Sequence, residues 1–243
     1  MNAREYEQEH VQQTSALIQQ EIVFLDSQKK KTKEKFDTDM LENAGQRIQG
    51  GSFEALAETM ADTRQHEAEL LVRYQSLASQ EKRQRALRLM LENPYFARID
   101  FKEDQEAETL YLGIASLRDL QEETVVIDWR APIANLYYEG TLGQTQYEAH
   151  DAIIPIELLL KRQFKIREGH ILSMVDTSEA INDDFLLEIL DEASSNHMKN
   201  IVATIQRSQN EIIRDTRSKV LVVEGIAGSG KTSALLQRVA YLL

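Results

Sequence analysis

Eight residues of the chain have the spacing of a phosphate-binding loop. Residues 225–232 read GIAGSGKT, which matches the pattern G-x-x-x-x-G-K-[ST]. Glycines let successive backbone N–H groups face an anion, and a helix that starts near Lys231 adds the positive end of its dipole. The Lys231 ammonium would reach the β- and γ-phosphates of ATP, and the Thr232 hydroxyl would bind Mg²⁺. The predicted ATP and Mg²⁺ site consists of Gly225, Gly228, Ser229, Gly230, Lys231 and Thr232.

The segments on either side of this loop have the expected patterns. Residues 219–223 read KVLVV, which predicts a short, buried strand of the parallel kind, and the residues from 231 onward suit a helix. A strand before the loop and a helix after it form the context in which this pattern binds phosphate. A glycine-rich turn that binds nothing is the alternative.

Gln209 lies 16 residues before Gly225, on a segment with helical spacing. Its amide offers both a donor and an acceptor, which is the combination that the N6 and N7 edge of adenine requires. Glutamine on a helix is more often only solvated. Its position upstream of the loop favours a contact with the adenine base of the nucleotide.

Two charged segments precede residue 43. Asp37, Asp39 and Glu42 place three carboxylates near the predicted connection between two helices, where they could approach a Mg²⁺ ion of a partner. The alternative is that these acids are solvated or cap a helix. Residues 29–35 read KKKTKEK, a basic run that is either a solvated face or a contact with an acidic protein surface or nucleic acid.

Arg130 is a candidate for phosphate binding, but a structural role fits its neighbours better. We predict that Trp129 is buried and that Arg130 pairs with a carboxylate such as Asp128 or Glu139. The five histidines of the chain have no metal-ligand spacing, so no metal is assigned to them.

The first 93 residues predict two long helices. The first runs from about residue 3 into the mid-forties, and the second begins after Gly50 and Gly51, with Ser52 as its N-cap, and ends at residues 93–94. The second helix would be about 60 Å long at about 1.5 Å per residue. Each helix carries a narrow apolar stripe, which predicts an antiparallel coiled-coil hairpin.

The apolar period changes to two after Pro94. Alternating residues such as Ile99 and Phe101, and a tight hairpin at residues 167–169, predict a small, mainly antiparallel β domain. Helical spacing returns from residue 178 to about residue 216. We therefore predict an α+β multidomain chain with three parts: a helical hairpin at 1–93, a β-rich domain at 94–177, and at 178–243 a helical linker with the first βα unit of an incomplete P-loop α/β domain.

The composition disfavours several classes of protein. The net charge is −12, and residues 94–200 hold 21 acidic and 9 basic residues. This charge disfavours a protein whose main surface is a basic nucleic-acid-binding surface. The absence of cysteine excludes disulfides and thiolate metal sites and fits a cytoplasmic protein. No apolar run approaches the roughly 20 residues of a membrane span, so no membrane partner is expected.

Several motifs together resemble a known family. Gln209 followed by the loop at 225–232 resembles the opening of a superfamily 1 helicase motor of the UvrD/Rep type, which implies that the P-loop domain is the start of a RecA-like domain. Residues 128–133 (DWRAPI), 161–166 (KRQFKI) and 201–206 (IVATIQ), in that order behind a long helical N-terminus, are similar to the HelD family, which are helicase-like ATPases associated with bacterial RNA polymerase. The resemblance covers nearly the whole chain, and these middle motifs are more specific than the loop.

The resemblance implies a function. The hairpin of residues 3–91 would resemble the arm that such proteins insert into the secondary channel of core RNA polymerase, while the motor domains help to dislodge nucleic acid. Two alternatives stay open. One is a DNA helicase or translocase whose complete motor binds DNA. The other is a polymerase-binding plug in which the ATP loop is vestigial.

The sequence departs from the family pattern after the loop. It stops at Leu243, without the acidic motif, the arginine finger and the second RecA-like lobe that phosphoryl transfer requires. We therefore expect a piece of a longer protein. This piece alone should bind nucleotide poorly and hydrolyse it negligibly.

Overall fold

A computed structural model of the chain describes residues 2–45, 53–104, 106–149, 152–177, 205, 207–226 and 229–242. The chain divides into two compact units, one formed by residues 16–89 and the other by residues 1–15 together with 90–243. No helix in the described part of the chain is both long and apolar enough to cross a membrane.

Two long helices occupy the first part of the chain, as the sequence predicts. Helix α1 spans Ala3–Gly45 and helix α2 spans Phe53–Glu92. Neither contains proline, and their glutamate, glutamine, lysine, alanine and leucine residues favour helix interiors. Pro94 disfavours the helical conformation for the residue before it, so α2 ends there. The predicted N-cap Ser52 lies outside the described residues.

Four polar pairs join α1 to α2 within the unit of residues 16–89. Arg83 binds both carboxylate oxygens of Glu21, at 2.7 and 2.9 Å, and Lys29 lies 2.9 Å from Glu81. The other two pairs are Gln84 with Asp26 and Arg73 with Asp39. Partners late in α1 are early in α2, which is the order that antiparallel helices require. Coiled-coil packing of the two helices stays a prediction.

The second unit is built on a sheet of seven strands. The strands are β1 (Ala97–Glu103), β2 (Glu106–Gly113), β3 (Leu117–Arg118), β4 (Thr124–Asp128), β5 (Gly143–Ala149), β6 (Ala152–Arg167) and β7 (His170–Asp176). Their order is β3-β4-β2-β1-β6-β5, with β7 also paired to β6. Every pairing among the described strands is antiparallel except that of β2 with β4. Helices with this mixed sheet confirm the α+β class.

The turn between β6 and β7 has the conformation that its sequence predicts. Glu168 and Gly169 both have positive φ, at 50° and 75°. Two successive residues with positive φ match the right-handed twist of the strands that they join. The hairpin predicted at residues 167–169 is therefore confirmed.

One face of the sheet forms the apolar core. Residues alternate between buried and partly buried along β1, because successive side chains of a strand point to opposite faces. This face packs against a 3-10 turn (Pro132–Ala134) and a short helix α3 (Asn135–Tyr138). The core includes Ile99, Phe101, Leu112, Trp129, Tyr137, Leu158 and Ile213.

Lys161 is a buried exception on β6, at a position opposite Ile99. Its Nζ donates a hydrogen bond to the backbone oxygen of Gly140, at 2.8 Å, just after α3. Burial lowers the pKa of Lys161 to about 8. This bond joins the end of α3 to the sheet.

The opposite face of the sheet binds the first turns of α1 through a buried carboxylate. The strand register places Arg98 opposite both Tyr111 and Arg162, so two like charges are neighbours. Glu7 is fully buried and accepts hydrogen bonds from Arg98 at 2.7 Å, Arg162 at 2.8 Å and the Tyr111 hydroxyl at 3.0 Å. The carboxylate of α1 thus neutralises a repulsion that the sheet creates.

Two further acids complete this cluster. Asp100 accepts two bonds from Arg98, at 2.7 and 2.8 Å, and Asp176 accepts two from Arg162, at 2.6 and 2.9 Å. Gln8 adds a backbone contact, because its amide bonds to the backbone of the β6–β7 hairpin at 2.7 and 2.9 Å. The start of α1 is therefore fixed to the sheet by several directional bonds.

His10 packs beside the same cluster. Its ring stacks on Tyr111 with centroids 3.8 Å apart, and its Nδ1 lies 3.0 Å from the Tyr95 hydroxyl. Burial lowers the pKa of His10 to about 4, the nearby Glu7 opposes this change, and Arg98 adds to it. The imidazole is therefore neutral at pH 7.

The prediction of a buried parallel strand at residues 219–223 is wrong. The segment has no strand hydrogen bonds, and Val220 and Val222 are 82% and 75% exposed. A parallel strand needs neighbouring strands for its backbone groups and covering layers for both faces. None of the seven described strands pairs with this segment. Of the helical region predicted at 178–216, residues 178–204 lie outside the described part, and α4 (Arg207–Arg214) is helical.

Glu7→Gln should destabilise the sheet unit by about 3 kcal/mol, because it leaves two largely buried arginines without their shared counter-charge. Urea unfolding followed by the fluorescence of Trp129, the single tryptophan, measures this loss. Glu108→Gln, at an exposed position on β2, is the matched control and should stay within about 0.5 kcal/mol of the unchanged chain. Equal unfolding midpoints for both variants would show that the Glu7 cluster contributes little.

Stability should fall as the pH is lowered from about 6.5 to 4. In this window the unfolded chain protonates His10 and the folded chain does not, so the free energy of unfolding drops by about 1 kcal/mol per pH unit. His10→Phe keeps a ring on Tyr111 and removes the titrating group, so its pH slope should be shallower by that amount. The exposed His170, changed to Gln, serves as the control, and an unchanged slope in His10→Phe would contradict the assignment.

Candidate functional site

The described part of the predicted phosphate loop lies between two helices. Helix α4 carries Gln209, and helix α5 (Lys231–Leu242) begins at the lysine of the loop, as predicted. Gly225, Ile226, Ser229 and Gly230 are described, whereas residues 227–228, including the predicted Gly228, are not. The beginning of α5 thus lies where its N-terminal dipole would face a bound anion.

Lys231 is surrounded by oxygen atoms of its own loop. Its Nζ donates hydrogen bonds to the backbone oxygens of Gly225, at 2.8 Å, and Ile226, at 2.7 Å, and lies 3.5 Å from the Ser229 hydroxyl. Oxygen atoms of phosphate are ligands of the same kind and carry more charge. The ammonium can therefore bind a phosphate by exchanging these partners. Thr232 is exposed in the first turn of α5.

Two glycines of the loop lie close to the ends of other side chains. Gly230 has a φ of +76°, and a Cβ there would lie 2.6 Å from Nε2 of Gln209. A Cβ on Gly225 would lie 2.8 Å from the Ser229 hydroxyl. Glycine at 230 therefore suits both the positive φ and the close approach of Gln209, and glycine at 225 leaves room for the Ser229 hydroxyl.

The structure brings Gln209 to the loop. Its Nε2 donates a hydrogen bond to the backbone oxygen of Ser229, at 3.4 Å. Residues that are distant in the sequence but predicted to serve one nucleotide are thus adjacent in space. The contact of Gln209 with an adenine base stays a prediction.

Helix α4 is anchored to the sheet unit by two polar residues. Asn210 is buried, and its Nδ2 donates to Asn135, at 2.6 Å, and to Glu139, at 2.5 Å. Arg214 donates to the backbone oxygens of Trp129, at 2.5 Å, and Ala131, at 3.3 Å. These bonds fix the helix that positions Gln209.

Arg214 is a charged group in an aromatic environment. Its guanidinium lies 5.7 Å from the ring centre of Tyr138 and 5.3 Å from that of Tyr241. Burial lowers the pKa of Arg214, and the two tyrosines partly oppose this change. The residue joins α4 to both α3 and α5.

Helix α5 contacts the same segment of the sheet unit. Arg130 donates to both oxygens of Asp128, at 2.9 and 2.7 Å, and to the backbone oxygen of Ala240, at 3.2 Å. Trp129 is buried, with its ring centre 6.3 Å from that of Tyr241. The predicted burial of Trp129 and the Arg130–Asp128 pair are confirmed. Residues 128–131 thus contact both helices that carry the loop.

Two residues that position the site, Asn210 and Arg214, are not among those predicted from the sequence. Both lie on α4, where they are four residues apart, and Arg214 Nε donates to Asn210 Oδ1 at 3.0 Å. Polar residues at this spacing share one face of a helix. That face also contains the buried Ile213. A polar pair beside an apolar position was therefore the sequence signal that could have indicated a buried polar contact.

The carboxylates predicted near the helix connection lie within α1 instead. Helix α1 continues to Gly45, so Asp37, Asp39 and Glu42 are helical residues and not connection residues. Asp37 is exposed, and Asp39 forms an ion pair with Arg73 of α2. The composition of the segment favours helix, and it outweighs the turn preference of aspartate. A role of these acids in binding a partner stays a prediction.

Arg214→Met should loosen α4 and α5 from the sheet, because the carbonyls of Trp129 and Ala131 lose their donor. We expect amide hydrogen exchange in residues 207–214 and 231–242 to become at least tenfold faster, while the strands keep their protection. Arg217→Met is the control, because Arg217 has an exposed side chain paired with Glu148, which is also exposed. Similar exchange in both variants would show that Arg214 does not anchor these helices.

Comparison with known proteins gives one family. The family model described as the N-terminal domain of DNA helicase IV HelD matches residues 4–188, which is more than half of the chain. The matched region contains α1, α2 and all seven strands and ends before the loop at 225–232. No curated protein matches the chain significantly.

Proposed function

The chain belongs to the family of the DNA helicase IV HelD N-terminal domain, and on this premise we propose that it is the N-terminal part of an ATP-dependent, helicase-like factor that binds RNA polymerase and releases it from nucleic acid. One observation carries the proposal. A loop of the phosphate-binding pattern follows the family domain, and Gln209 lies against its backbone. The family and the loop together favour a motor protein.

The residues of the loop fit a nucleotide. Lys231 would exchange the backbone oxygens of Gly225 and Ile226 for β- and γ-phosphate oxygens, and Thr232 would hold Mg²⁺. Gln209 would bind the adenine edge, and Gly230 leaves space for it next to the loop. Hydrolysis of bound ATP would supply the free energy for movement. In the complete protein, further groups would complete the reaction centre.

The contacts around residues 128–131 support coupling between the nucleotide loop and α1. Both α4 and α5 bond to this segment, which follows β4 of the sheet. The sheet in turn holds Glu7 near the start of α1. We expect a change in the positions of α4 and α5 on nucleotide binding to be transmitted through these bonds to the sheet.

Helices α1 and α2 would act as the polymerase-binding arm. Two helices of about 40 residues whose polar pairs follow antiparallel order support a coiled-coil hairpin that enters the secondary channel. Asp37, Asp39 and Glu42 would then approach the catalytic Mg²⁺ of the polymerase. Asp39 would have to exchange its pair with Arg73.

A second candidate function is a DNA helicase or translocase. Membership in the family of DNA helicase IV favours it. It requires DNA-stimulated ATP hydrolysis and ATP-dependent strand separation by the complete protein. The polymerase-release function requires neither, so these two assays distinguish the candidates.

Lys231→Ala in the complete protein should abolish ATP hydrolysis and the ATP-dependent release of stalled RNA polymerase, because the charge on the phosphates loses its partner. Single-round release from a stalled transcription complex measures the effect. Lys219→Ala, which removes an exposed lysine six residues before Gly225, is the control. Full release by Lys231→Ala would identify a plug that needs no ATP, and failure of the unchanged protein to bind core polymerase would overturn the proposal.

Gly230→Ala should weaken the binding of a fluorescent ATP analogue by the complete protein at least tenfold, since its Cβ would displace Gln209 and strain the loop. Gly169→Ala is a matched control with the same kind of positive φ, at +75°, and open space around its Cβ. It should reduce stability by about 1 kcal/mol and leave nucleotide affinity unchanged. Equal affinities for the two variants would mean that the loop of Gly230 does not form the nucleotide site.

A further inference from the structure

Helices α1 and α2 share a group of cations that the proposed motor does not use. We call it the basic face, and it consists of Lys29, Lys30, Lys33, Lys82, Arg85 and Arg88. The first three belong to α1 and the last three to α2, and all lie within the unit of residues 16–89.

Glu81 shows that three of these cations are close together in space. Its carboxylate binds Lys29 at 2.9 Å. This hydrogen bond lowers the pKa of Glu81, and the charges of Lys29, Arg85 and Lys33 lower it further. One carboxylate of α2 is thus surrounded by three cations that come from both helices.

The other cations of the face are exposed. Lys30, Lys33, Lys82, Arg85 and Arg88 all point to solvent and form no ion pair within the part of the chain that the structure describes. Lys82, Arg85 and Arg88 follow one another at intervals of three residues, which places them on one side of α2. Like charges at such spacings destabilise a helix by about 0.2–0.5 kcal/mol per pair. An anionic partner would remove this repulsion.

The dimensions of the face fit the phosphates of a duplex. From Lys82 to Arg88 the helix rises about 9 Å, at about 1.5 Å per residue. A DNA duplex carries one negative charge per about 1.7 Å of its axis, so about five phosphates lie along this length. The five exposed cations are therefore similar in number to the phosphates along this length. No aromatic residue lies among residues 29–33 or 82–88, so these segments offer no ring on which unpaired bases could stack. This favours a duplex over a single strand.

We propose that the basic face binds the phosphate backbone of a nucleic-acid duplex. Such binding would be independent of sequence, because contacts to phosphates position a protein without reading bases. The face lies on α1 and α2, whereas the nucleotide loop lies between α4 and α5. The proposal therefore goes beyond the proposed function and does not depend on ATP binding or on RNA polymerase.

The test compares two triple variants of the 243-residue chain that have the same net charge. One carries Lys30→Gln, Lys33→Gln and Arg85→Gln on the basic face. The other carries Arg118→Gln, Arg167→Gln and Lys219→Gln, three exposed cations outside α1 and α2. Fluorescence anisotropy with 24-base-pair DNA and RNA duplexes, without nucleotide and between 50 and 200 mM NaCl, measures affinity. Circular dichroism verifies that both variants keep their helices.

The unchanged chain should bind both duplexes with a Kd on the order of 10⁻⁵ M at low salt, as expected for phosphate contacts alone. The basic-face variant should bind at least 20-fold more weakly at 100 mM NaCl, and its slope of log K against log salt should be smaller by about 3, because each lost phosphate contact contributes about 0.9. The control should keep both values. Equal weakening of both variants would overturn the proposal. Equal affinity of the basic-face variant and the unchanged chain would also overturn it, and would indicate an acidic protein as the partner of the face.

Discussion

The buried carboxylate of Glu7 is the interaction on which the sheet unit depends. The register of β1, β2 and β6 places Arg98 and Arg162 side by side, and this repulsion would oppose the pairing of the strands. Glu7 is fully buried and accepts one hydrogen bond from each arginine, so it lies between the two like charges and adds to the pairs that they form with Asp100 and Asp176. The long helix that carries Glu7 therefore cannot leave the sheet without breaking these buried bonds.

A second polar junction uses the same physics on the other side of the sheet. Residues 128–131 supply two carbonyls to Arg214 and an arginine to the last turn of α5. Backbone carbonyls are available wherever a segment leaves regular structure, and a guanidinium has enough donors to satisfy several of them. The helices on each side of the phosphate loop are thereby attached to one short segment, which is why a local change there can reach the sheet.

The sequence predicted some features of the candidate site correctly and others wrongly. Lys231, Gly230 and Gln209 were found because a loop that binds phosphate needs small residues and a cation at fixed local spacing, and the structure brings all three together. The strand at 219–223 was predicted wrongly, because a buried parallel strand exists only if other strands pair with it. The carboxylates near residue 40 were predicted at the connection between the helices, although the surrounding helix formers continue α1 to Gly45.

The sequence alone determined the two long helices, the alternating strands and the Glu168–Gly169 turn, because each of these depends on residues close together in the chain. Only the tertiary structure decided which charged groups neutralise one another. Glu7 pairs with Arg98 and Arg162, which are distant from it in the sequence. Arg214 donates to the carbonyls of Trp129 and Ala131, which are also remote from it along the chain. Composition shows that such charges exist, but it does not show which groups pair. A charge that is removed from water needs a hydrogen-bonded partner. Strand register and burial determine which groups come within that distance.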